Sequence, residues 1–162
     1  MIIACPASRL AEAIERYRPT HVASLISPDA EAPRIAGVER LVLCFNDIAE
    51  PREGLIAADT AIIERLFAFA DAADEGPLLV HCFAGVSRSP AAAYLLACRR
   101  AGAGEEARLA QTLRAASPEA TPNPLMVALA DELLERGGAM TAAIAGIGRG
   151  REAFEGPVLV MS

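Results

Sequence analysis

Several kinds of segment are missing from this 162-residue chain, and each absence narrows what the protein can do. No apolar run approaches the length of about 20 residues that crosses a bilayer, so we expect no membrane-spanning helix. The chain has no basic block and no alternation of basic and aromatic residues, and its formal charge is -6. These features argue against nucleic acid or an anionic membrane as the main partner. Lysine is absent altogether, and all 15 basic residues are arginine.

The patterns that would form a disulfide framework or a metal site are also missing. Four widely spaced cysteines, without a CxxC pair, occur at Cys5, Cys44, Cys82 and Cys98. In a chain of this size such spacing indicates reduced thiols in a cytoplasmic protein. No His, Cys and carboxylate group has metal-ligand spacing, so we expect neither a metal nor another cofactor. The N-terminus lacks the basic and apolar regions of an export signal.

Strand and helix patterns alternate along the chain. Short apolar runs predict strands at residues 1–4, 21–26, 40–45, 78–80 and 157–161, the last of them at a sheet edge. Apolar residues at helical spacing predict helices at residues 8–18, with Ser8 as N-cap, and at 57–74, 90–102, 105–116, 124–136 and 139–147. This alternation implies an α/β fold, in which a mostly parallel sheet of four or five strands is flanked by helices on both faces. The length and the absence of a linker predict one domain over residues 1–162.

Residues 78–90, with the sequence LLVHCFAGVSRSP, form the segment with the clearest chemical meaning. Its apolar start predicts a buried strand, and Pro90 suits the first position of a helix, so a tight loop must join the two. Gly85 allows a backbone conformation that bulkier residues avoid. Backbone N–H groups that converge beside a helix N-terminus form a concave anion site. Cys82 lies at the base of this site, where the same dipoles favour the thiolate, and Arg88 can close over the anion.

The spacing His81-Cys82-(five residues)-Arg88-Ser89 resembles the signature of the cysteine-dependent protein tyrosine phosphatases, and residues 84–89 are most similar to the dual-specificity branch. The likeness is strongest over residues 41–129. It implies that the Cys82 thiolate attacks phosphorus and forms a phosphocysteine, which water then cleaves. It also implies a phosphate-binding loop that consists of Phe83, Ala84, Gly85, Val86, Ser87 and Arg88.

Both chemical steps need a proton to move, and one carboxyl group can serve both of them. Asp47 is the candidate, because its place after a strand, some thirty-five residues before the cysteine, resembles that of the acid loop in the family. A loop Asp that caps its own turn is the alternative. Glu50 and Glu53 are rival carboxylates in the same loop.

Three further residues are candidates for supporting roles. Ser89 can donate a hydrogen bond to the sulfur, and it also suits a helix N-cap. His81 either orients the loop through backbone hydrogen bonds or is a buried, neutral, structural histidine, which is also the expectation for His21. Asn123, in Thr121-Pro122-Asn123, resembles a Pro-Asn pair that braces the loop in dual-specificity enzymes. Its alternative role is a turn or a helix cap.

Cys44 and Cys98 lie in apolar runs, where thiols are most often inert core residues. Cys44 precedes the acid loop, and a role as resolving thiol for Cys82 under oxidation stays open, since pairing depends on distance in the fold.

The predicted function is that of a protein phosphatase acting on phosphotyrosine, with phosphoserine and phosphothreonine left open. The substrate partner is then a phosphorylated protein or peptide. Because the loop has only one basic residue, it departs from lipid and inositol phosphatases, whose loops are often basic. Two alternatives remain: a phosphatase-like module that binds phosphoproteins without hydrolysing them, and another cysteine anion-loop enzyme such as a sulfurtransferase or arsenate reductase.

Overall fold

The computed structural model describes residues 1–162, and in it five strands and six helices follow one another as the periodicity predicts. The strands are β1 Ile2–Pro6, β2 His21–Ile26, β3 Glu39–Cys44, β4 Leu78–Cys82 and β5 Leu159–Met161. The helices are α1 Leu10–Tyr17, α2 Thr60–Ala72, α3 Arg88–Ala101, α4 Glu106–Ala116, α5 Pro124–Leu133 and α6 Ala139–Ile147, and a short 3-10 turn, Ala7–Arg9, precedes α1.

The five strands form one sheet in the order β3-β2-β4-β1-β5. Strands β1 to β4 are mutually parallel, and β5 lies antiparallel to β1 at the edge of the sheet. The predicted α/β class and the predicted edge strand are therefore confirmed. Strand β4 is central, and its last residue, Cys82, lies in register with Pro6 of β1. Because parallel strands end at the same edge of a sheet, the residues that follow β2, β3 and β4 converge there.

The two faces of the sheet are covered unequally. Alternate residues of β4 such as Leu78 and Val80 join the main core of 33 buried residues, which includes residues of α2, α3 and α5. Leu79 faces the opposite way, into a cluster of 6 buried residues that includes Leu10 of α1. Helix α3 is buried continuously from Arg88 to Cys98, and its alanines allow neighbouring elements to approach closely.

Three predicted helix starts are wrong. Helix α2 begins at Thr60 and not at residue 57, because Asp59 caps it by accepting from Ile62 N at 2.9 Å. Helix α1 begins at Leu10 without a side-chain cap, and Ser8 lies in the 3-10 turn, where its hydroxyl donates to Glu155 Oε2 at 2.9 Å. Helix α3 begins at Arg88 and not at Pro90, so Ser89 lies inside the helix and is not its N-cap. Proline is tolerated throughout the first helical turn, whose N–H groups have no acceptor within the helix, and it therefore marks the start only approximately. None of the six helices is long and apolar enough to cross a membrane.

Candidate active site

The sulfur of Cys82 lies where β4 passes into the predicted anion loop, and the residue is only 3% exposed. Three groups that can donate hydrogen bonds surround Sγ. The backbone N–H groups of Gly85 and Ser89 donate to it at 3.3 and 3.4 Å, and the Ser89 hydroxyl lies 3.1 Å away. Hydrogen-bond donors aimed at a sulfur interact favourably with negative charge on it, and here they come from the loop and from the first turn of α3.

The backbone of the loop is oriented with its carbonyl groups outward. Four of them accept N–H groups from three other segments: Phe83 from Ala7 at 3.1 Å, Ala84 from Gly156 at 2.8 Å, Val86 from Thr121 at 2.8 Å and Ser87 from Asn123 at 3.3 Å. The N–H groups of these same four loop residues donate to no protein atom. A loop with its carbonyls occupied and its N–H groups free is an anion-binding cradle.

Glycine is required at two points of close approach. Gly85 has φ +68°, and a Cβ built on it would lie 2.7 Å from the backbone nitrogen of Pro6. A Cβ on Gly156 would collide with the carbonyl oxygen of Gly85. The loop therefore fits tightly between the end of β1 and the segment before β5.

Arg88, at the start of α3, is 5% exposed, and its guanidinium is held by neighbouring strands. Nη1 donates to the carbonyl oxygen of Phe45 at 2.9 Å and to the hydroxyl of Ser27 at 3.4 Å. The guanidinium carbon lies 5.8 Å from the centroid of the Phe45 ring. Nε is buried and has no acceptor, and Nη2 makes no hydrogen bond, so Arg88 keeps donors on two nitrogens available in a fixed position.

Asp47 follows β3 and lies against the loop. Its Oδ1 accepts from the Ser87 hydroxyl at 2.7 Å and from Asn123 Nδ2 at 2.8 Å, whereas Oδ2 lies 3.9 Å from Arg88 Nε. The side chain stays 36% exposed, so water and substrate can reach it. The rivals Glu50 and Glu53 are exposed and make no hydrogen bond or ion pair.

The segment that carries Asp47 is closed at its base by one residue pair. Asn46 N donates to the carbonyl oxygen of Ile56 at 2.7 Å, and Asn46 Oδ1 accepts from Ile56 N at 2.8 Å. This double contact fixes the start of the loop, so the position of Asp47 relative to Arg88 is set by the end of β3.

Asn123 caps α5, which is the alternative role that its sequence context predicts, and its side chain also contacts the segment that carries Asp47. Its Oδ1 accepts from Met126 N at 3.0 Å and so caps α5. Its Nδ2 donates to Asp47 and also, at 3.1 Å, to the carbonyl oxygen of Ile48. The oxygen and the nitrogen of one amide are used separately, so capping α5 does not compete with the contact to Asp47, and support of the phosphate-binding loop by Asn123 stays a prediction.

His81 does not contact the loop backbone through Nε2, which lies 2.7 Å from the hydroxyl of Ser24 on β2. Burial lowers the pKa of His81 to about 4, so the imidazole is neutral near pH 7. This environment matches the structural alternative more closely than the loop-orienting one. His21 lies remote from the loop, at the start of β2, where Nδ1 is 3.0 Å from the hydroxyl of Thr20.

The other cysteines divide into buried and exposed ones. Burial raises the pKa of Cys5 to about 12 and that of Cys98 to about 11, which leaves both thiols protonated near neutral pH. Cys44 is exposed, so its prediction as a core residue is wrong: it ends β3, which has a free edge. Strand β2 separates β3 from β4, so the strands that carry Cys44 and Cys82 lie roughly 10 Å apart. A disulfide spans at most about 7 Å between Cα atoms, and this argues against Cys44 as a resolving thiol.

A cavity of about 360 Å³ opens beside the sulfur. Cys82 and Arg88 line it together with His81, apolar side chains and the loop of residues 27–33, which follows β2. Phe83, at 71% exposure, also lines the cavity. Sequence reasoning missed this wall, because nothing in residues 27–33 indicates which way the loop folds.

Ser24, Ala7 and Gly156 are further contributors that sequence reasoning missed. A signal existed only for Ser24, a polar residue within the otherwise apolar strand at residues 21–26. Ala7 and Gly156 act through their backbone N–H groups, which any residue type provides.

No protein family model matches this chain, and no curated protein matches it in sequence. Solved structures do match its fold. Human DUSP28 has a TM-score of 0.65 and 25% identity, covering 85% of this chain and 94% of its own. A mouse putative dual specificity phosphatase, complexed with zinc tungstate, has a TM-score of 0.64 and 25% identity. The match covers 88% of this chain and 86% of the mouse chain. The Yvh1 phosphatase domain from Chaetomium thermophilum has a TM-score of 0.62 and 21% identity. The match covers 86% of this chain and 93% of the Yvh1 domain.

Proposed function

The chain is similar in fold and in signature loop to the dual-specificity branch of the cysteine-dependent phosphatases, and from that premise we propose that it hydrolyses phosphate monoesters on proteins through a phosphocysteine. The observation that carries the proposal is the set of groups around the Cys82 sulfur. Four loop N–H groups and Arg88 Nε have no protein acceptor, and all of them belong to the short segment that follows Cys82. Together they match the oxygens of a tetrahedral phosphoryl group.

In the first step the Cys82 thiolate attacks phosphorus and the phosphorus–oxygen ester bond breaks. Two hydrogen bonds hold Oδ1 of Asp47, so Oδ2 is the oxygen free to carry the proton. Oδ2 lies beside Arg88, the residue that grips the phosphoryl group, and so it lies near the departing ester oxygen. We assign Asp47 as the general acid of this step.

In the second step a water molecule attacks the phosphocysteine, Asp47 takes up its proton, and the phosphorus–sulfur bond breaks. The sulfur leaves as a thiolate and needs stabilisation at that moment. The Ser89 hydroxyl, 3.1 Å from Sγ, donates a hydrogen bond to it, and Gly85 N–H and Ser89 N–H add two more. Ser89 therefore contributes mainly to turnover of the intermediate.

The cavity favours phosphotyrosine over the shorter phosphoserine and phosphothreonine. Its volume of about 360 Å³ suits an aromatic ring, and Leu10, Ile26, Pro33 and Phe83 provide apolar walls. A phosphate at the buried sulfur requires a substrate side chain that spans these walls. The tungstate bound to the mouse neighbour is a tetrahedral oxyanion like phosphate, which supports the same kind of ligand here. We propose that residues 1–162 form a single phosphatase domain and that its substrates are cytoplasmic phosphoproteins.

An aryl phosphate tests the reaction class directly. We expect metal-independent hydrolysis that vanadate inhibits and that Cys82→Ser abolishes. Activity that a chelator removes, or that survives Cys82→Ser, would refute the mechanism. Phosphopeptide binding without turnover would instead support the binding-module alternative. Thiosulfate and arsenate serve as control substrates for the other cysteine-loop enzymes.

A further inference from the structure

We propose that the loop of residues 27–33 selects substrates in which basic residues flank the phosphotyrosine, and that Asp29 and Glu31 hold those residues. The inference rests on the proposed function, because it assumes that the phosphoryl group binds above Cys82. Both carboxylate residues line the same cavity as Cys82 and Arg88.

The loop that carries the two acids is held at both ends. Ala30 N donates to the carbonyl oxygen of Ser27 at 3.0 Å and forms a turn at its beginning. At its far end, Arg40 Nη2 donates to the carbonyl oxygen of Pro33. Asp29 and Glu31 are therefore carried on an anchored wall of the cavity.

The charges in this cavity are unbalanced. Asp29 and Glu31 are exposed and make no hydrogen bond or ion pair with any other residue. Arg88 is the only cationic side chain in the lining, because His81, which also lines the cavity, is neutral near pH 7. Its Nε, buried and without an acceptor, fixes the position of the phosphoryl group at the base. Once phosphate occupies Arg88, no cationic side chain of the lining is left to offset the two carboxylates.

A substrate bound by its phosphate thus presents its neighbouring residues to an acidic wall. Arginine or lysine there gains an ion pair, whereas aspartate or glutamate is repelled. The same wall disfavours a polyanionic head group, whose additional phosphates would approach the two carboxylates.

A second groove beside the phosphate loop does not reverse this preference. It is lined by Val86 and contains Arg149 and Arg151, but both arginines already have acidic partners. Arg151 lies 2.6 Å from Glu119, and Arg149 lies 4.0 Å from Glu152. Each arginine thus has an acidic neighbour, and neither lines the cavity that contains Cys82, so the two carboxylates set the charge of the wall beside the sulfur.

Three phosphotyrosine peptides test the inference: they are identical except for Arg, Gln or Glu on both sides of the phosphotyrosine. Two exposed ion pairs predict a kcat/KM about 2-fold to 30-fold higher for the Arg peptide than for the Gln peptide, and a lower value for the Glu peptide. The Asp29→Asn/Glu31→Gln variant should bring the three values together while hydrolysing an aryl phosphate, which has no flanking residues, at least as fast as the unaltered protein does. The matched control, Glu15→Gln/Glu64→Gln, also removes two exposed acids and should keep the preference. Higher salt should weaken the preference of the unaltered protein for the Arg peptide.

The same peptides should bind Cys82→Ser in the same order, which gives a readout that does not depend on turnover. Equal values for the three peptides in both assays, or a preference that survives Asp29→Asn/Glu31→Gln, would overturn the inference. A different result would refute the proposed function: the unaltered protein would not hydrolyse the aryl phosphate.

Discussion

Two hydrogen bonds to Oδ1 of Asp47 leave Oδ2 to carry the proton in the proposed mechanism, and Ser87→Ala tests this assignment with little change elsewhere. The Ser87 hydroxyl donates to Oδ1 at 2.7 Å and does not cap α3, so its removal leaves the helix start unaltered. A hydrogen bond to a charged group contributes about 1.5–3 kcal/mol, and this one is exposed, so we expect the lower end. We therefore expect kcat to fall about 10-fold.

Asp47→Asn should have a larger effect, since it removes the acid itself and not only its orientation. General acid-base catalysis contributes about 10²- to 10⁴-fold, and the loss should fall within that range. The loss should appear in kcat with little change in KM, because Asp47 acts on the departing oxygen and not on the bound phosphate.

The assay compares two substrates with different leaving groups. Nitrophenolate leaves readily without a proton, whereas the tyrosine oxygen needs one. Both variants should therefore lose more activity towards phosphotyrosine peptide than towards 4-nitrophenyl phosphate. Glu50→Gln is the matched control from the same loop and should retain full activity. Unchanged kcat in Asp47→Asn, or an equal loss on both substrates, would contradict the assignment.

Three further predictions concern other parts of the structure. His81 titrates near pH 4 when folded and near its ordinary 6.5 when unfolded, so the unfolded state takes up the proton first. Stability should therefore fall by about 3 kcal/mol between pH 6.5 and pH 4, and urea unfolding should show less of this loss in His81→Gln. Gly156→Ala should weaken phosphate binding at least 10-fold, because the added Cβ would collide with the carbonyl oxygen of Gly85 in the phosphate loop. Calorimetric titration with phosphate or vanadate measures the loss of affinity. Unchanged affinity would show that the close contact is dispensable. Iodoacetamide at neutral pH should label Cys44, which is exposed, and Cys82, which lines the cavity, but neither Cys5 nor Cys98. Vanadate should protect only Cys82, as peptide mass spectrometry can establish.

Local patterns predicted the elements well where the residues themselves decide the structure. The strand at residues 21–26 and the helix at 139–147 have the predicted bounds, since apolar runs and flanking glycines or prolines define them. Pro90 misplaced the start of α3 by two residues, because any position in the first turn accepts proline. Cys44 was misjudged because an apolar run does not show whether its strand lies at the edge of the sheet.

The candidate site was predictable only in part, for a physical reason. Cys82 and Arg88 lie within one short motif, so their spacing alone indicates their proximity. Asp47 and Asn123 are 76 residues apart, and only the fold shows that the amide of one donates to the carboxylate of the other. The acidic wall at residues 27–33 had no signal at all, because its proximity to the sulfur depends on how the chain turns after β2.

The outward carbonyls of the phosphate loop link the site to the folding of the whole chain. Their four partners are Ala7, Thr121, Asn123 and Gly156, which come from both ends of the sequence as well as from its middle. A motif that looks self-contained in the sequence thus acquires its shape only after contacts of high sequence separation have formed, and such contacts are slow to close. We expect anion binding to appear late during refolding. Binding of phosphate should in turn stabilise the native state against unfolding, because the anion-binding loop is not formed in a partly folded chain.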